Sequence, residues 1–311
     1  MSYSLNQLYE VAGLSKQAVH KQHLKEEGFS IKLNTLVIEA DILKSEHPGC
    51  GVEKMYYTLN PDFIGRDTFI DIFMGLGFRV KRKKNYQRTT YPAHFKYPNL
   101  IEGALVSRAN QLWQSDITYF RVGDKFYYLT FILDVYTRMI VGYQVSKNLR
   151  AEANLKALKM ALRFRSGSSL TGLIHHSDRG SQYGDKEYIA LLKSKGITIS
   201  MGEKAQSNAY AERINGIIKN EYLNYKKIDS FSKLKTETRK AVQHYNSKRI
   251  HGSLPGRISP SDFENSLLNL SENKIPKMII YSEGNKKIKS TYGQLDLLTE
   301  NNNYLCPILT S

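Results

Sequence analysis

From residue 4 to about residue 80, hydrophobic positions recur every three or four residues, the spacing of helices that bury one face. SLNQLYEVA and LSKQAVHKQHLKEE flank Gly13, with Leu5, Leu8 and Val11 in the first segment and Leu14, Ala18 and Val19 in the second. Two short helices around a glycine read as a helix-turn-helix over residues 1–30. The second helix of such a module lies in the major groove, which would turn Lys16, Gln17, His20 and Lys21 toward DNA. An ordinary helical hairpin with a polar face carries the same pattern. Residues 31–80 continue with LNTLVIEADILKSEH, a turn at Pro48 and Gly49, then VEKMYYTLN and RDTFIDIFMGLGF. Three helices on short turns make a second compact, all-helical DNA-binding segment.

The helical period stops in VKRKKNYQRTTYPAHFKYPN, where Lys81, Arg82, Lys83, Lys84 and Arg88 crowd among polar and proline residues. Residues 81–110 read as an extended basic linker that tracks a phosphate backbone, or as a solvated charge run. From residue 111 the period becomes two. LWQSDITYFRV, KFYYLTFILDVY and RMIVGYQVS are rich in β-branched and aromatic residues and are parted by Gly123-Asp124 and by Thr137, which predicts an antiparallel meander. AEANLKALKMALRFR then reads as a helix, LTGLIHH as a short strand, KEYIALLKSKG as a helix, ITIS as a strand, and SNAYAERINGIIKNEYL as a further helix. Strands alternating with helices after a meander indicate an α/β domain with a mixed sheet. FSKLKTETRKAVQHYN is helical again, and the polar, asparagine-rich residues 265–311 form a C-terminal extension with one or two peripheral strands at most.

Composition sharpens the choice of partner. Against 29 acidic residues stand 45 Lys and Arg, a net charge of +16, which favours a polyanion such as nucleic acid. Two distant cysteines, Cys50 and Cys306, give no CxxC pair and no disulfide framework, as in a reducing compartment. The start has no signal-peptide pattern and no apolar run of about 18 residues occurs, so a cytoplasmic protein away from membranes is expected.

Three acids stand out once the elements are placed. Asp116 lies mid-strand among apolar residues, where a carboxylate needs a partner or a metal, with Gln114 and Thr118 on its face and Trp113 and Ile117 on the other. Asp178 follows a short strand, at the kind of strand end where ligands gather in α/β sheets. Glu212 begins a helix on which Asn215, Gly216 and Lys219 share its face, while Ile214, Ile217 and Ile218 cover the opposite one. Converging carboxylates suit Mg²⁺ or Mn²⁺, hard cations that take oxygen ligands, and two such ions could steady the attacking and leaving oxygens of a phosphodiester. Asp134 could be a further acid near the site or an internal strand residue bound to Arg138 or backbone. His175 and His176 could touch substrate or metal, or be satisfied strand histidines. Glu221 reads as a buried ion pair.

In one order over residues 111–264, WQSDITYF, LDVYTRMIVGY, HHSDRGSQY, SNAYAERINGIIKNEY and HYNSKRIHGSLPGRISPSDFE resemble the integrase-core transposases of the insertion-sequence-three family. The resemblance implies a ribonuclease H-like fold, a mixed five-stranded sheet with flanking helices, over 111–264 including a helical tail. It implies Asp116, Asp178 and Glu212 as catalytic metal ligands and Lys219 as a contact to the transposon end. It further implies water and then a freed 3′-hydroxyl as nucleophiles, without a covalent enzyme intermediate. Tyr245, Asn246, Arg249 and His251 match the family's tail motif, as fold support or phosphate contact. The interval from Asp178 to Glu212 is about two residues shorter than the family's usual one, the trimmed part being ISMGEKAQSNAYAE. The implied partners are double-stranded DNA, a second copy of the chain to hold two ends together, and a protein from an upstream reading frame.

Overall fold

The computed structural model describes residues 5–80, 97–202 and 205–280. The chain divides into two units, Met1–Lys81 and Arg82–Ser311. The first holds α1 (Leu5–Val11), α2 (Lys16–Glu46), α3 (Val52–Leu59) and α4 (Arg66–Gly75). Gly13, at φ 66°, makes the turn after α1, and Ser15 caps α2 by accepting a hydrogen bond from the Ala18 amide at 3.1 Å. Two expectations change here. The second helix of the expected helix-turn-helix does not end near residue 26 but runs on through LNTLVIEADILKSE as one 31-residue helix. Gly28 costs about 1 kcal/mol in a helix, yet the Lys, Glu and Leu around it are good helix formers, and no proline breaks the run. In addition, no residue of α1 is buried, so the two helices do not close on a shared core. The core of this unit lies further along, where Leu36 and Ala40 of α2 meet Cys50, Met55, Phe69 and Phe73.

The second unit is built on β2 (Leu112–Val122), β3 (Lys125–Asp134) and β4 (Ile140–Ser146), the expected meander, followed by α5 (Ala151–Phe164), β5 (Ile174–Asp178), α6 (Lys186–Ser194), β6 (Thr198–Gly202), α7 (Ala209–Ile217), α8 (Phe231–Ser247) and α9 (Pro260–Leu267). The sheet order is β4-β3-β2-β5-β6, with β2, β3 and β4 antiparallel and β5 and β6 parallel to β2. That mixed five-stranded order, helices on both faces, is the ribonuclease H-like architecture. One face buries Trp113, Ile117, Leu158, Tyr188 and Leu192 beneath α5 and α6. The other buries Leu129, Phe131, Ile214, Leu234 and Tyr245 beneath α7 and α8.

A short strand β1 (Leu105–Val106) pairs with β7 (Met278–Ile279), the one peripheral strand of the C-terminal extension among the described residues. Residues 97–110, expected as the end of an extended linker, are instead part of this unit. Ile101 and Val106 are buried beside Phe263 and Met278, and the Leu100 amide donates to Ser200 Oγ at 2.9 Å. Apolar side chains at 101, 104 and 106 outweigh the polar tone of the segment before them. The basic residues Lys81, Arg82, Lys83, Lys84 and Arg88 lie outside the described residues. Among the described residues, no helix is long and apolar enough to cross a membrane.

Candidate active site

The strand register brings the two aspartates together. Leu112 pairs with Ile174, Trp113 with His175, Gln114 with His176 and Ser115 with Ser177. This constant offset of 62 is also the sequence interval between Asp116 and Asp178, so the two stand level on adjacent parallel strands. Alternation along a strand then points them to one face of the sheet. Asp178 is the last residue of β5, and its Oδ1 accepts the Gly180 amide at 3.0 Å as the chain turns away.

Over that face lies α7, fastened to β2 by amide side chains. Gln114, buried, donates from Nε2 to the Ser207 carbonyl at 3.1 Å and accepts from the Ala211 amide at 3.4 Å. Asn208 donates to the Ser115 carbonyl at 2.9 Å, and Asn215 Nδ2 donates to Asp116 Oδ2 at 2.7 Å. Glu212, in the first turn of α7, stays exposed on the same side as Asn215. The isoleucines 214, 217 and 218 are buried, as the helical spacing predicts.

The three acids sense one another. Burial, then the charges of Asp178 and Glu212, push the Asp116 carboxyl up to about 8, against the pull of the Ile117 amide and Asn215. Partial burial and Asp178 likewise raise Glu212. Burial lowers the Lys219 ammonium, while Asp116 holds it up, and its Nζ sits 5.2 Å from the Tyr119 ring centroid. Among the described residues no group of three or more His, Cys, Asp or Glu stands ready to hold a metal ion. The arrangement is a set of converging carboxylates under mutual repulsion. Oxygen-only donors whose negative charge is unfavourable in place fit a divalent cation, which would relieve that repulsion.

The other candidates fall away from the centre. Asp134 is fully buried and accepts backbone amides from Asn110, Tyr136 and Thr137 at 2.7, 3.1 and 3.2 Å, so it ties the β3–β4 turn rather than binding Arg138. His175 and His176 are buried strand residues, bonded to Tyr188 OH at 2.9 Å and Ser200 Oγ at 2.8 Å. Burial drives both imidazoles well below their ordinary range, to about 3 and about 4. Arg249, open between fold support and phosphate contact in the sequence, is 6% exposed and its Nε and Nη2 donate to Glu221 at 2.8 Å each, the fold-support reading. That bond also supplies the partner of Glu221. Lys16, Gln17, His20 and Lys21 are all exposed on the first turns of α2.

Sequence reasoning missed the fastening role of Gln114 and Asn208. Gln114 carried a signal, as a polar residue two before Asp116 on the same strand face. Ser115 and Tyr183, whose hydroxyls lie 2.9 Å apart, were also missed; they brace the loop after Asp178 from the far side of the sheet.

Fold and site together define an integrase-core polynucleotidyl transferase. Two models of the integrase core domain match residues 106–207 and 195–260. The chain is 36% identical over 210 residues to the uncharacterized 31 kDa protein of insertion element IS600 from Shigella sonnei, covering 66% of this chain and 76% of that one. It is 32% identical to transposase InsF of insertion sequence IS3A from Escherichia coli, over 62% of this chain and 68% of that one. The catalytic core domain of HTLV-2 integrase, solved with magnesium in a trimeric form, is 19% identical with a TM-score of 0.41, covering 53% of this chain and 99% of that one. The chain belongs to the insertion-element transposases with an integrase core, of the insertion-sequence-three type.

Proposed function

We propose that this transposase cuts and rejoins DNA at the ends of its element, with Asp116, Asp178 and Glu212 as the metal-holding acids. The observation that carries the reading is the β2–β5 register, whose last pair, Ser115 with Ser177, puts Asp116 and Asp178 side by side one residue on, with the Glu212 helix fastened above them. Mg²⁺ or Mn²⁺, as two ions, would supply the polarisation of the scissile phosphate and the activation of the attacking hydroxyl. The chain's own contribution is placement. Asn215 donates to Asp116 Oδ2 at 2.7 Å and so fixes the orientation of the carboxylate that would hold a cation. Gln114 holds the first turn of α7, so Glu212 is presented by a braced helix end. Lys219 meets a phosphate near the scissile bond.

DNA is engaged beyond the site by Lys16, Gln17, His20 and Lys21, consistent with a chain of net charge +16. Two ends must be held for joining, which calls for at least a dimer on DNA. The test is purified protein with Mg²⁺ or Mn²⁺ and labelled duplexes carrying the terminal inverted repeats that flank the reading frame. Wild type nicks the strand at the element's end, and Asp116→Ala and Glu212→Ala lose at least about 100-fold in rate, the loss of a group acting on the reacting atoms. Undiminished cleavage by either variant sinks the assignment. End binding without metal-dependent cleavage by wild type would mark a DNA-binding regulator derived from a transposase instead.

A further inference from the structure

The helix that carries Glu212 does not stay α-helical. At Ile218–Tyr222 it widens into one π-helical turn, in which the Leu223 amide is shared between the Ile218 and Lys219 carbonyls. Such turns are rare, sit at functional places and hold an extra residue against the helix's own preference. This one contains Lys219 and Glu221, two residues apart and turned to different neighbours. Lys219 reaches over Tyr119, three residues beyond Asp116 on β2. Glu221 turns to the end of α8, where Arg249 grips it with two hydrogen bonds of 2.8 Å.

Arg249 is built into that place. Its Nη1 donates to the Ile250 carbonyl at 3.3 Å and lies 3.0 Å from His251 Nε2, and the guanidinium sits 5.7 Å from the Tyr245 ring centroid. Tyr245 in turn donates from its hydroxyl to the Arg138 carbonyl at 3.0 Å, so the platform is anchored to the β3–β4 turn. The next residue of the widened turn, Tyr222, is bonded to His244 Nδ1 at 3.0 Å. The end of α8 thus holds two consecutive residues of the π turn, while Lys219 in the same turn lies over Tyr119 and within the field of Asp116. A planar fork making two parallel bonds fixes orientation as a lysine's point charge does not.

We propose that Arg249 and Glu221 are positioning residues for Lys219: their partly buried ion pair holds the π turn in the shape that carries Lys219 to the end phosphate. The tail motif then serves the reaction through the catalytic helix and not by touching DNA. This inference rests on the reading that Lys219 meets a phosphate of the element's end.

The experiment uses the full chain without metal, and a labelled duplex of the element's end. Affinity is measured against salt concentration for wild type, K219A, R249Q, K219A/R249Q and the swapped E221R/R249E, with thermal unfolding of each. Losing one phosphate contact lowers the slope of log affinity against log salt by about one. K219A and R249Q each show that loss, the double variant shows no further loss, and the swap regains the wild-type slope. A wild-type slope in R249Q, with K219A reduced, overturns the positioning role alone. A double variant that loses two increments overturns it by making Arg249 a DNA contact. An unchanged slope in K219A overturns the phosphate role of Lys219 and this inference with it. If R249Q does not fold, E221Q carries the same comparison.

Discussion

Asp116 shows how much a single position can hold. Its sequence context, an acid flanked by apolar strand residues, calls for a partner, and the structure supplies Asn215 on one side and two further acids on the other. Because its folded carboxyl titrates near 8 and its ordinary value is 3.8, the folded chain binds this proton more tightly than the unfolded chain. Its contribution makes stability fall as pH rises from about 4 to about 8, and the penalty is complete above that. Asp116→Asn removes the carboxylate and keeps the shape. In EDTA it therefore raises the melting temperature more at pH 8 than at pH 5; an equal effect at both pH values contradicts the raised Asp116 carboxyl. The acids drew notice in the sequence through an apolar strand around Asp116, a strand end at Asp178 and the motifs flanking all three, and the register offset of 62 between β2 and β5 sets the two aspartates on adjacent strands. Arg249 was not legible, since a buried guanidinium and a phosphate-binding one look alike in sequence, and only the position of Glu221 tells them apart.

Elements with a clear period were legible and those decided by neighbours were not. The meander, α5, α6 and α8 fall where alternation or helical spacing places them. The continuity of α2 was hidden by a change of face: Leu24, Ile31, Ile38 and Ile42 are exposed, whereas Leu36 and Ala40 are buried. Nothing in INGIIKNEYL announces a π turn, and the two-residue strands β1 and β7 are too short to carry a pattern. A similar silence surrounds Gly142 of β4. A Cβ there would lie 2.3 Å from the Ala157 carbonyl oxygen and 3.0 Å from the Ala161 Cβ, so α5 lies against bare strand backbone. Backbone cannot swing aside as a side chain can, and overpacking costs typically about 1–3 kcal/mol. Gly142→Ala is expected to destabilise the chain by at least that much in chemical denaturation. A change within about 0.5 kcal/mol, ordinary for surface substitutions, contradicts the close contact. Nearby, Asn246 both accepts from the Ile140 amide and donates to its carbonyl, each at 2.9 Å, closing the start of the edge strand as a partner strand would.

Across the whole molecule, an all-helical unit that presents cationic and polar residues precedes an integrase core whose acids gather on one sheet face. Residues 97–110, read from composition as linker, belong with the core unit because Ile101 and Val106 are buried in it. Everything proposed for the chain's activity turns on whether the three carboxylates act together on a divalent cation. The direct measurement is Mn²⁺ binding to the full-length protein, followed by electron paramagnetic resonance, for wild type beside Asp116→Asn and Asp178→Asn. Wild type binds Mn²⁺ and each variant binds it at least about 10-fold more weakly, since a lost ligand costs no less than a lost supporting contact. Mn²⁺ affinity that stays unchanged in both variants contradicts the shared metal site.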